Sequence, residues 1–490
     1  MKSKINNKQM NSFNKVQIIF LALAVVIFIT SCKSKKTIIK EQKKQPYNVL
    51  FISVDDLNDW TGFAGGHPQT QTPNMDKLAQ QGVVFENANC AAPLCNPSRA
   101  ALMTGFRPST SGVYGNESEL RDSPVLKDAL TIPQWFSKHG FFTTARGKIF
   151  HTAKGPQADT ISWDKWVKEI GKYGNVKKEP GFMVNGIPNG EADVNFDWGP
   201  TDGVFEETRD YLNAKWAADQ LQKDYDKPFF LAMGIYKPHL RWYVPQEFFD
   251  KFKEEEMIIP EINENDFDDI PSSAPKPQKN YYAAKKYKKQ QAAVQAYLAS
   301  INYADACVGA VLDALAKSKY ADNTIVVLWG DHGWHLGEKL RYKKATLWEE
   351  ASKMPLIIKV PGLTQAGSRC SSPVNLLDLY PTLSELCGIP SNPENEGNSI
   401  VPLLKDVNTD WDIPSLTTVG LNRHSLRSRK WRYIRYEDGQ EQLYDHDVDP
   451  MEWTNLANDP KYQTVKDELA TYLPEVNAEP VKKSYTRKNH

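Results

Sequence analysis

Two apolar runs of the chain lead directly into side chains that could bind a metal ion. The runs span residues 48–54 and 324–329, and continuous apolar, β-branched segments of this length are typical of buried parallel strands. The side chains that follow them are Asp55, Asp56, Asp331 and His332. Since the carboxyl ends of parallel strands meet at one edge of a sheet, these residues predict a metal site there. Carboxylate oxygens suit Ca²⁺ or Mg²⁺ better than Zn²⁺, although Asp55 and Asp56 taken alone are equally compatible with a helix N-cap.

The patterns around these runs predict the α/β fold class, with a mostly parallel sheet between helices. Further predicted strands cover residues 228–235 and 355–360, and predicted helices cover 72–81, 132–139 and 291–316. This alternation favours one large α/β domain over separate all-α and all-β parts. Residues 152–226 and 253–289 have weak periodicity and are predicted to be rich in loops.

The pattern changes after residue 404, where a small antiparallel sheet is predicted. Residues 430–436 and 441–445 alternate in polarity and are separated by Asp438-Gly439, which is a hairpin signal. We therefore expect a main domain at 47–404 and a smaller C-terminal subdomain at 405–490.

The first 46 residues predict export and a lipid anchor. A Lys-containing start leads into an apolar run, 18–29, which is too short to span a bilayer but suits the core of a signal peptide better than a short buried helix. The run ends in Thr30-Ser31-Cys32, which resembles a bacterial lipobox with Cys32 as the lipidated residue. We expect a lipoprotein signal peptide at 1–31 and a tether at 32–46. The protein is then lipid-anchored at the bacterial cell envelope, on the periplasmic side or at the cell surface.

Composition excludes several classes of function. The 490 residues include 60 basic and 60 acidic side chains and are 40% hydrophobic, which excludes a disordered chain and a basic nucleic-acid binder. The first 45 residues contain ten Lys and one acid, so the remainder has 50 basic and 59 acidic residues. Attraction for an anionic ligand must therefore be local. Five cysteines follow Cys32, and an odd number in an exported protein argues against a disulfide framework.

The segment Cys95-Asn96-Pro97-Ser98-Arg99 resembles the maturation signature of the type I sulfatases, in which a maturation enzyme oxidises the cysteine to Cα-formylglycine. Other motifs occur in the order that this family shows. They are Val54-Asp55-Asp56, residues 72–79, Gly147-Lys148-Ile149-Phe150-His151, Lys237-Pro238-His239, Asp331-His332-Gly333-Trp334 and Lys343-Lys344. The resemblance covers roughly residues 47–450, and Asp-His-Gly-Trp favours the iduronate-2-sulfatase-like branch.

This resemblance implies an alkaline-phosphatase-like fold and a sulfuric ester hydrolase. The hydrated aldehyde, a gem-diol, attacks sulfur with one oxygen, and deprotonation of the other then expels sulfate and restores the aldehyde. Cys95 is implied to be the nucleophile and to join Asp55, Asp56, Asp331 and His332 around Ca²⁺ or Mg²⁺. The other implied catalytic residues are Arg99, which steadies the gem-diol, Lys148 and Lys344, which contact sulfate oxygens, His151, the candidate base, and His239, the candidate acid. Lys343 is the adjacent alternative to Lys344.

A substrate rim is also expected around the pocket. Its candidates are His335, Arg341, Arg423 and His424, because cationic groups suit a uronate or a further sulfate, but each is equally compatible with a structural role. The tryptophans in or beside the loop-rich regions are candidates for stacking on sugar rings. They are Trp163, Trp166, Trp198 and Trp242.

The favoured function is removal of sulfate from oligosaccharides of a marine algal polysaccharide such as ulvan or carrageenan. A glycosaminoglycan sulfatase of the iduronate type is one alternative. A phosphate or phosphonate ester hydrolase on the same fold is another, although a second cluster of histidine ligands is hard to assemble from nine His. The third alternative, an inactive glycan-binding lipoprotein, is disfavoured by the complete set of expected catalytic residues. The expected partners are a sulfated oligosaccharide, the formylglycine-generating maturation enzyme and the membrane, with no nucleic acid.

Overall fold

Strands and helices alternate along residues 46–482, the part of the chain that the computed structural model describes. The strands are β1 (Asn48–Val54), β2 (Val83–Phe85), β3 (Ala88–Asn89), β4 (Phe142–Arg146), β5 (Lys165–Val167), β6 (Trp198–Thr201), β7 (Phe229–Ile235), β8 (Trp242–Pro245), β9 (Thr324–Gly330), β10 (His335–Leu336), β11 (Tyr342–Lys343), β12 (Leu356–Lys359), β13 (Ser368–Cys370), β14 (Val374–Asn375), β15 (Ser415–Thr418), β16 (His424–Arg427), β17 (Trp431–Arg435) and β18 (Glu441–Asp445). The α-helices are α1 (Pro73–Ala79), α2 (Cys95–Thr104), α3 (Pro108–Ser111), α4 (Ile132–Lys138), α5 (Arg209–Gln220), α6 (Gln246–Phe249), α7 (Lys279–Lys286), α8 (Gln290–Ala316), α9 (Glu349–Ser352), α10 (Leu379–Leu386), α11 (Val401–Lys405) and α12 (Gln463–Ala470).

Eight strands form one mixed sheet in the order β13-β2-β12-β9-β1-β7-β4-β5. The consecutive strands β9, β1, β7, β4 and β5 pair in parallel, whereas β12 is antiparallel to both of its neighbours. Side chains of β1 enter a separate hydrophobic cluster on each face, with Leu50 and Ile52 on one and Val49 and Phe51 on the other. Burial of both faces explains why the strand is continuously apolar. The expected α/β fold with a mostly parallel sheet is confirmed.

The register of this sheet brings four strand ends together. Val54 at the end of β1 is level with Ile235 of β7 and Gly330 of β9, and Arg146 at the end of β4 pairs with Met233 of β7. The segments that leave these ends therefore start side by side. They carry Asp55 and Asp56 after β1, Lys148 after β4, His239 after β7, and Asp331 and His332 after β9.

Helix α8 packs into the core beside the sheet. It is the one helix of residues 46–482 that is long and apolar enough to cross a membrane by length and composition, but 72% of its most apolar window is buried inside the protein. Tyr297, Tyr303 and Val308 of α8 belong to the same hydrophobic cluster as Leu50 and Ile52. Its composition is that of a core helix in a globular domain.

The C-terminal region forms the predicted antiparallel sheet, in the order β15-β16-β17-β18. Strands β17 and β18 flank the predicted turn at Asp438-Gly439. Edge strand β15 joins this sheet to the main domain, because the backbone N–H of Thr418 donates to the carbonyl of Ala91 at 2.9 Å. The sheet therefore supports the segment that leads to Cys95. The domain boundary at residue 404 stays a prediction.

Residues 478–481, here called the C-terminal strap, return to the main domain. The backbone N–H of Ala478 donates to the carbonyl of Ser109 at 2.7 Å, and that of Val481 donates to the carbonyl of Gly112 at 2.9 Å. The Tyr114 hydroxyl donates to the carbonyl of Ala478 at 2.9 Å. The strap therefore holds α3 and the turn after it, which directly follow α2.

Two regions that the sequence predicts to be rich in loops contain helices. Helix α5 lies within residues 152–226, and α7 lies within 253–289. The buried positions of α5 have helical spacing, but small or polar side chains fill them, so that no apolar stripe marks the helix in the sequence. These side chains are Asp210, Asn213, Ala214, Ala217 and Gln220.

Residues 1–45 and 483–490 lie outside the described part of the chain. The expected signal peptide, Cys32 and all but the last residue of the tether fall in the first of these segments. Export and lipid anchoring therefore stay predictions.

Candidate active site

Cys95 is the first residue of α2 and lies where the strand ends converge. The helix begins after Leu94, which is extended, and it ends at Gly105, whose φ of 83° is left-handed. The side chain is buried, with 1% of the residue exposed. Its Sγ contacts side chains from three strand ends and from the segment after β11. The distances are 2.9 Å to Lys344 Nζ, 3.4 Å to His332 Nε2, 3.7 Å to Asp56 Oδ1 and 3.8 Å to Lys148 Nζ.

Arg99 lies one turn further along α2 and shares a face with Cys95. Its guanidinium is fully buried, with Nε donating to Asp331 Oδ2 at 2.9 Å and Nη2 donating to Asp55 Oδ1 at 3.1 Å. It therefore ties α2 to the ends of β1 and β9. Nη1 also donates to Ser53 Oγ at 2.8 Å and to the carbonyls of Lys148 at 2.6 Å and Ile149 at 2.9 Å. The Cys95 cluster is here defined as Cys95, Arg99, Asp55, Asp56, Asp331, His332, Lys148 and Lys344.

Asp56 has the geometry of a metal ligand. Its φ of 59° lies in the left-handed region, which Asp tolerates better than most residues. Its backbone N–H donates to Asp331 Oδ1 at 2.9 Å, and the Tyr297 hydroxyl donates to its carbonyl at 2.8 Å. Its Oδ2 is buried and has no hydrogen-bond partner within residues 46–482. Because an unpaired buried carboxylate oxygen is costly, this atom indicates where a cation fits.

His332 directs a ring nitrogen toward the carboxylate of Asp56. Its Nδ1 lies 2.9 Å from the carbonyl of Gly333, which assigns the proton to Nδ1 and leaves a lone pair on Nε2. That Nε2 lies 3.3 Å from Asp56 Oδ1 and 3.5 Å from Asp331 Oδ2. A donor set rich in carboxylates fits a hard divalent cation such as Ca²⁺ or Mg²⁺. Potential ligand atoms lie within 4.8 Å of one another in two overlapping groups, Asp56, Cys95, Asp331 and His332, and Asp55, Asp56, Cys95 and His239.

Lys148 and Lys344 place positive charge on two sides of Cys95. The Lys148 ammonium pairs with Asp55, and that of Lys344 pairs with Asp56. Burial opposes the charge on each ammonium, but Asp55 raises the pKa of Lys148 and Asp56 raises the pKa of Lys344, so that both remain protonated. Fixed cations of this kind suit the oxygens of an oxyanion.

The neighbouring Lys343 has a different partner. Its ammonium pairs with Asp193, in the region that precedes β6. Lys344, and not Lys343, therefore reaches the Cys95 cluster.

The Cys95 thiol is held in its protonated form. Burial and the Asp55 carboxylate raise its pKa well above the usual range for cysteine. Since the thiolate is the reactive form, an unmodified Cys95 is poorly suited to attack an ester.

His151 lies on the loop that follows Lys148. Its Nδ1 hydrogen-bonds with Gln157 Oε1 at 3.0 Å. Burial and the charge on Lys148 lower the pKa of His151 to about 3. The ring is therefore neutral near pH 7, which is the form that a general base requires, but its low pKa also makes it a weak proton acceptor.

His239 lies on the open side of the cluster. Its side chain is 37% exposed, and its Nε2 lies 3.9 Å from Asp56 Oδ2. Desolvation of the ring within the protein and the charge on Lys148 lower the pKa of His239. A general acid must hold a proton before it donates one, so this environment opposes the acid role predicted for His239.

The four residues expected on the substrate rim make no hydrogen bond or ion pair with the Cys95 cluster in the part of the chain that the structure describes. His335 and His424 are buried, and each hydrogen-bonds with a threonine hydroxyl. Arg341 is also buried and donates to a backbone carbonyl, whereas Arg423 pairs with Glu437 at the surface. A rim residue must be exposed to substrate, so burial argues against this role for His335, Arg341 and His424.

Three of the four tryptophans expected to stack on sugars lie in the core instead. Trp163, Trp198 and Trp242 are buried in hydrophobic clusters, and Trp166 is half-buried. They pack the scaffold around the site, and their place beside loop-rich sequence was a poor guide to exposure.

Two residues that support the cluster were missed from the sequence. Ser53 accepts from Arg99 and donates to the carbonyl of Lys148 at 3.1 Å. Its hydroxyl interrupts an otherwise apolar buried strand, which was an available signal. Tyr297 holds the turn at Asp56, but an aromatic residue at helical spacing gives no such signal, because it also fits an ordinary core position.

The Cys95 cluster contains three carboxylates and three cations, so its formal charges balance before an ion binds. A divalent cation bound there would make it positive. A buried, positive site at the strand ends of an α/β sheet suits the hydrolysis of an anionic ester, because it can hold the oxyanion during attack. The carboxylates are Asp55, Asp56 and Asp331, and the cations are Arg99, Lys148 and Lys344.

Comparison with known proteins identifies this hydrolase more closely. Residues 47–389 match the family model described as sulfatase, and residues 330–479 match the model of the C-terminal region of N-sulphoglucosamine sulphohydrolase. The chain is 38% identical over 477 residues to a sulfatase of Formosa agariphila, covering 94% of this chain and 92% of that protein. The chain therefore belongs to the sulfatase family and is a hydrolase of sulfate esters.

Other relatives have more specific names. An ulvan-active sulfatase of Formosa agariphila is 27% identical, covering 94% of this chain and 86% of that protein. Human iduronate 2-sulfatase is 30% identical, covering 71% of this chain and 70% of that protein. The resemblance to the iduronate-2-sulfatase branch is thus confirmed at the level of the family.

Solved structures share the fold. A protein in complex with D-glucosamine-2-N,6-O-disulfate superposes with a TM-score of 0.68 and 23% identity, covering 87% of this chain and 96% of that chain. The phosphonate monoester hydrolase of Agrobacterium radiobacter superposes with a TM-score of 0.69 and 20% identity, covering 87% and 94%. The alkaline-phosphatase-like fold is confirmed.

Proposed function

We propose that this sulfatase removes sulfate from oligosaccharides of a marine algal polysaccharide of the ulvan or carrageenan type. The observation that carries the proposal is the Cys95 cluster, in which the expected nucleophile, two ammonium groups and a set of hard ligands converge. The substrate class is supported by the ulvan-active relative, which aligns with 94% of this chain. An iduronate-type glycosaminoglycan is the alternative substrate, supported by the human relative.

The nucleophile in this proposal is Cα-formylglycine formed at Cys95. Its hydrated aldehyde supplies one hydroxyl for attack on sulfur and a second whose deprotonation allows sulfate to leave. Arg99, fixed by Asp55 and Asp331, holds the first turn of α2 and thus the position of residue 95. The high pKa of the unmodified thiol is consistent with the need for this conversion.

The chain's own side chains then bind the sulfate group. Lys148 and Lys344 approach Cys95 Sγ from different elements, so a sulfate attacked from residue 95 lies between two ammonium groups. Ca²⁺, or Mg²⁺, held by Asp55, Asp56, Asp331 and His332 supplies Lewis acidity when bound. Asp55 keeps Lys148 protonated and in place, and Asp56 does the same for Lys344.

Two histidines are assigned the proton transfers. His151, neutral and beside Lys148, accepts the proton whose loss releases sulfate. His239, exposed on the open side, protonates the departing sugar oxygen, for which it must first take up a proton.

The proposal is tested by mass spectrometry of the tryptic peptide that contains residue 95, together with sulfate release from a panel of defined sulfated oligosaccharides. We expect formylglycine in the peptide and release from algal oligosaccharides. An unmodified thiol in a protein that still releases sulfate would contradict the mechanism. Release only from glycosaminoglycan fragments would favour the alternative substrate.

The role of His239 is tested with two leaving groups. We expect His239→Ala to lower turnover of a sugar sulfate by about 10²- to 10⁴-fold, and to affect a nitrophenyl sulfate little, because a nitrophenolate leaves without protonation. The measurement is kcat for both substrates. His139→Ala, a histidine at the end of α4, serves as the matched control and should change neither rate. Equal losses on both substrates would remove His239 from the acid role.

Metal binding is tested by stability as well as by activity. A chelator is expected to abolish sulfate release and to lower the Tm, and Ca²⁺ should restore both, because a ligand that binds only the folded state stabilises it. Asp56→Asn should remove most of the Ca²⁺-dependent rise in Tm. A variant with the full rise would show that Asp56 is not a ligand.

We further propose that the protein is exported and held at the bacterial envelope by a lipid on Cys32. The support is the sequence of residues 1–46 alone. Metabolic labelling with a radioactive fatty acid, followed by membrane fractionation, tests it, and an unlabelled protein in the soluble fraction would contradict it.

A further inference from the structure

A cavity of about 650 Å³ adjoins the Cys95 cluster on the side of His151. Tyr236, which follows β7, lines it, and Lys148 Nζ lies 5.5 Å from the centre of the Tyr236 ring. Gln157, the hydrogen-bond partner of His151, lines it as well. We call it the Arg209 cavity, and its volume is in the range of small-molecule sites. Its charged lining residues are Glu119, Lys154, Lys168, Glu169 and Arg209.

Arg209, the first residue of α5, presents a cation to this cavity. Its guanidinium lies 5.5 Å from the centre of the Tyr236 ring and 5.6 Å from that of the Tyr173 ring. Within residues 46–482 it makes no ion pair and donates no side-chain hydrogen bond. The two aromatic rings therefore hold the guanidinium without using its N–H groups, which remain free to bind an anion.

The neighbouring Asp210 fixes Arg209 relative to the segment that follows β7. Its buried carboxylate accepts from the backbone N–H of Tyr236 at 3.0 Å and from that of Lys237 at 3.1 Å. It also accepts from the Tyr173 hydroxyl at 3.1 Å. The start of α5 is thus attached to the segment that leads to His239, and Arg209 has a defined position beside the active site.

Glu169 adds a hydrogen-bond acceptor to the same cavity. Its two oxygens accept from Asn213 Nδ2 at 3.1 Å and from the Tyr236 hydroxyl at 3.4 Å. Glu169 and Arg209 line one cavity without forming an ion pair with each other. A cation and an acceptor held apart can bind an anionic group and a hydroxyl of one sugar at the same time.

The charge of the lining favours an anion. Lys154 and Lys168 are exposed and form no ion pair in the described part of the chain, so the cavity has three cations against two acids. The chain after residue 45 has 50 basic and 59 acidic residues, so the cavity is a local exception, and it lies on the loop that carries His151.

We propose that the Arg209 cavity binds a second anionic group of the substrate sugar, a carboxylate or a further sulfate, next to the ester that is hydrolysed. This inference rests on the proposed function. It assigns the specificity-determining contact to α5 and the loop after β4, instead of the rim residues expected from the sequence.

Arg209→Ala tests the proposal. For a sugar sulfate that carries a second anionic group, we expect KM to rise about 10- to 100-fold with little change in kcat, because charge-assisted hydrogen bonds are lost. For a neutral sugar monosulfate, both constants should equal those of the wild type. One substrate with a carboxylate and one with a second sulfate identify the group that binds. Arg369→Ala, which removes a surface arginine paired with Glu86, is the matched control.

Two results would overturn the proposal: an equal rise in KM for neutral and anionic substrates, or no rise for either anionic one. A wild-type protein that releases sulfate from no sugar would overturn the proposed function instead. Thermal unfolding reports whether the variant folds. If Arg209→Ala does not fold, Arg209→Gln, which keeps much of the side chain, should show the same selective rise in KM.

Discussion

Cys95→Ala is expected to lower sulfate release by about four orders of magnitude or more, because it removes the proposed nucleophile. The two ammonium groups and the metal ligands stay in place around an empty position. The variant should therefore still bind sulfated sugar and fold normally. The measurements are sulfate released over time, for turnover, and thermal unfolding, for stability.

Cys370→Ala is the matched control for this change. Cys370 is a free, buried thiol in β13, outside the Cys95 cluster. The Cys370→Ala variant should retain wild-type turnover, since the substitution is chemically the same as Cys95→Ala and only the position differs. Comparable turnover of Cys95→Ala and the wild type would exclude residue 95 as the nucleophile.

Arg99→Met is expected to lower the free energy of unfolding by about 3–5 kcal/mol, the usual cost of removing one partner of a buried ion pair. The guanidinium is fully buried and neutralises Asp55 and Asp331, which would otherwise face each other across the strand ends. Turnover should be lost as well, because the first turn of α2 loses its attachment to β1 and β9. Urea unfolding measures the first effect.

Adding Ca²⁺ to Arg99→Met shows how much of the instability comes from the two uncompensated carboxylates. Ca²⁺ should restore part of the stability of Arg99→Met, because a divalent cation also compensates the two carboxylates. Arg369→Met, at an exposed ion pair with Glu86, should cost less than about 1 kcal/mol. A loss in Arg99→Met no larger than this would show that the buried guanidinium contributes little.

The central strands were predictable from sequence because burial on two faces leaves few polar residues. Strand β1 has the predicted bounds, and β9 ends one residue later than predicted. The metal-competent residues were found for the same reason, since acids directly after an apolar run are conspicuous. The direction of β12 was not predictable, because parallel and antiparallel strands buried in the same core are equally apolar.

The surroundings of the site were harder to predict. Helix α5 buries Asp210 and Asn213 where a typical helix buries leucine, so the spacing of apolar residues in the sequence does not reveal the helix. Arg209 therefore lay in a segment predicted to be loop. Conversely, His335 and His424 have the right residue type for a substrate rim, but they are buried by packing that only the tertiary structure specifies.

The contacts of the C-terminal strap determine the order in which parts of this fold form. Its residues hydrogen-bond to Ser109 and Gly112, which follow α2, so these contacts form only after the long intervening part of the chain has been synthesised. The complete fold leaves 1% of Cys95 exposed, so an enzyme cannot reach the thiol after closure. The proposed maturation enzyme would therefore have to reach Cys95 before the fold closes over it.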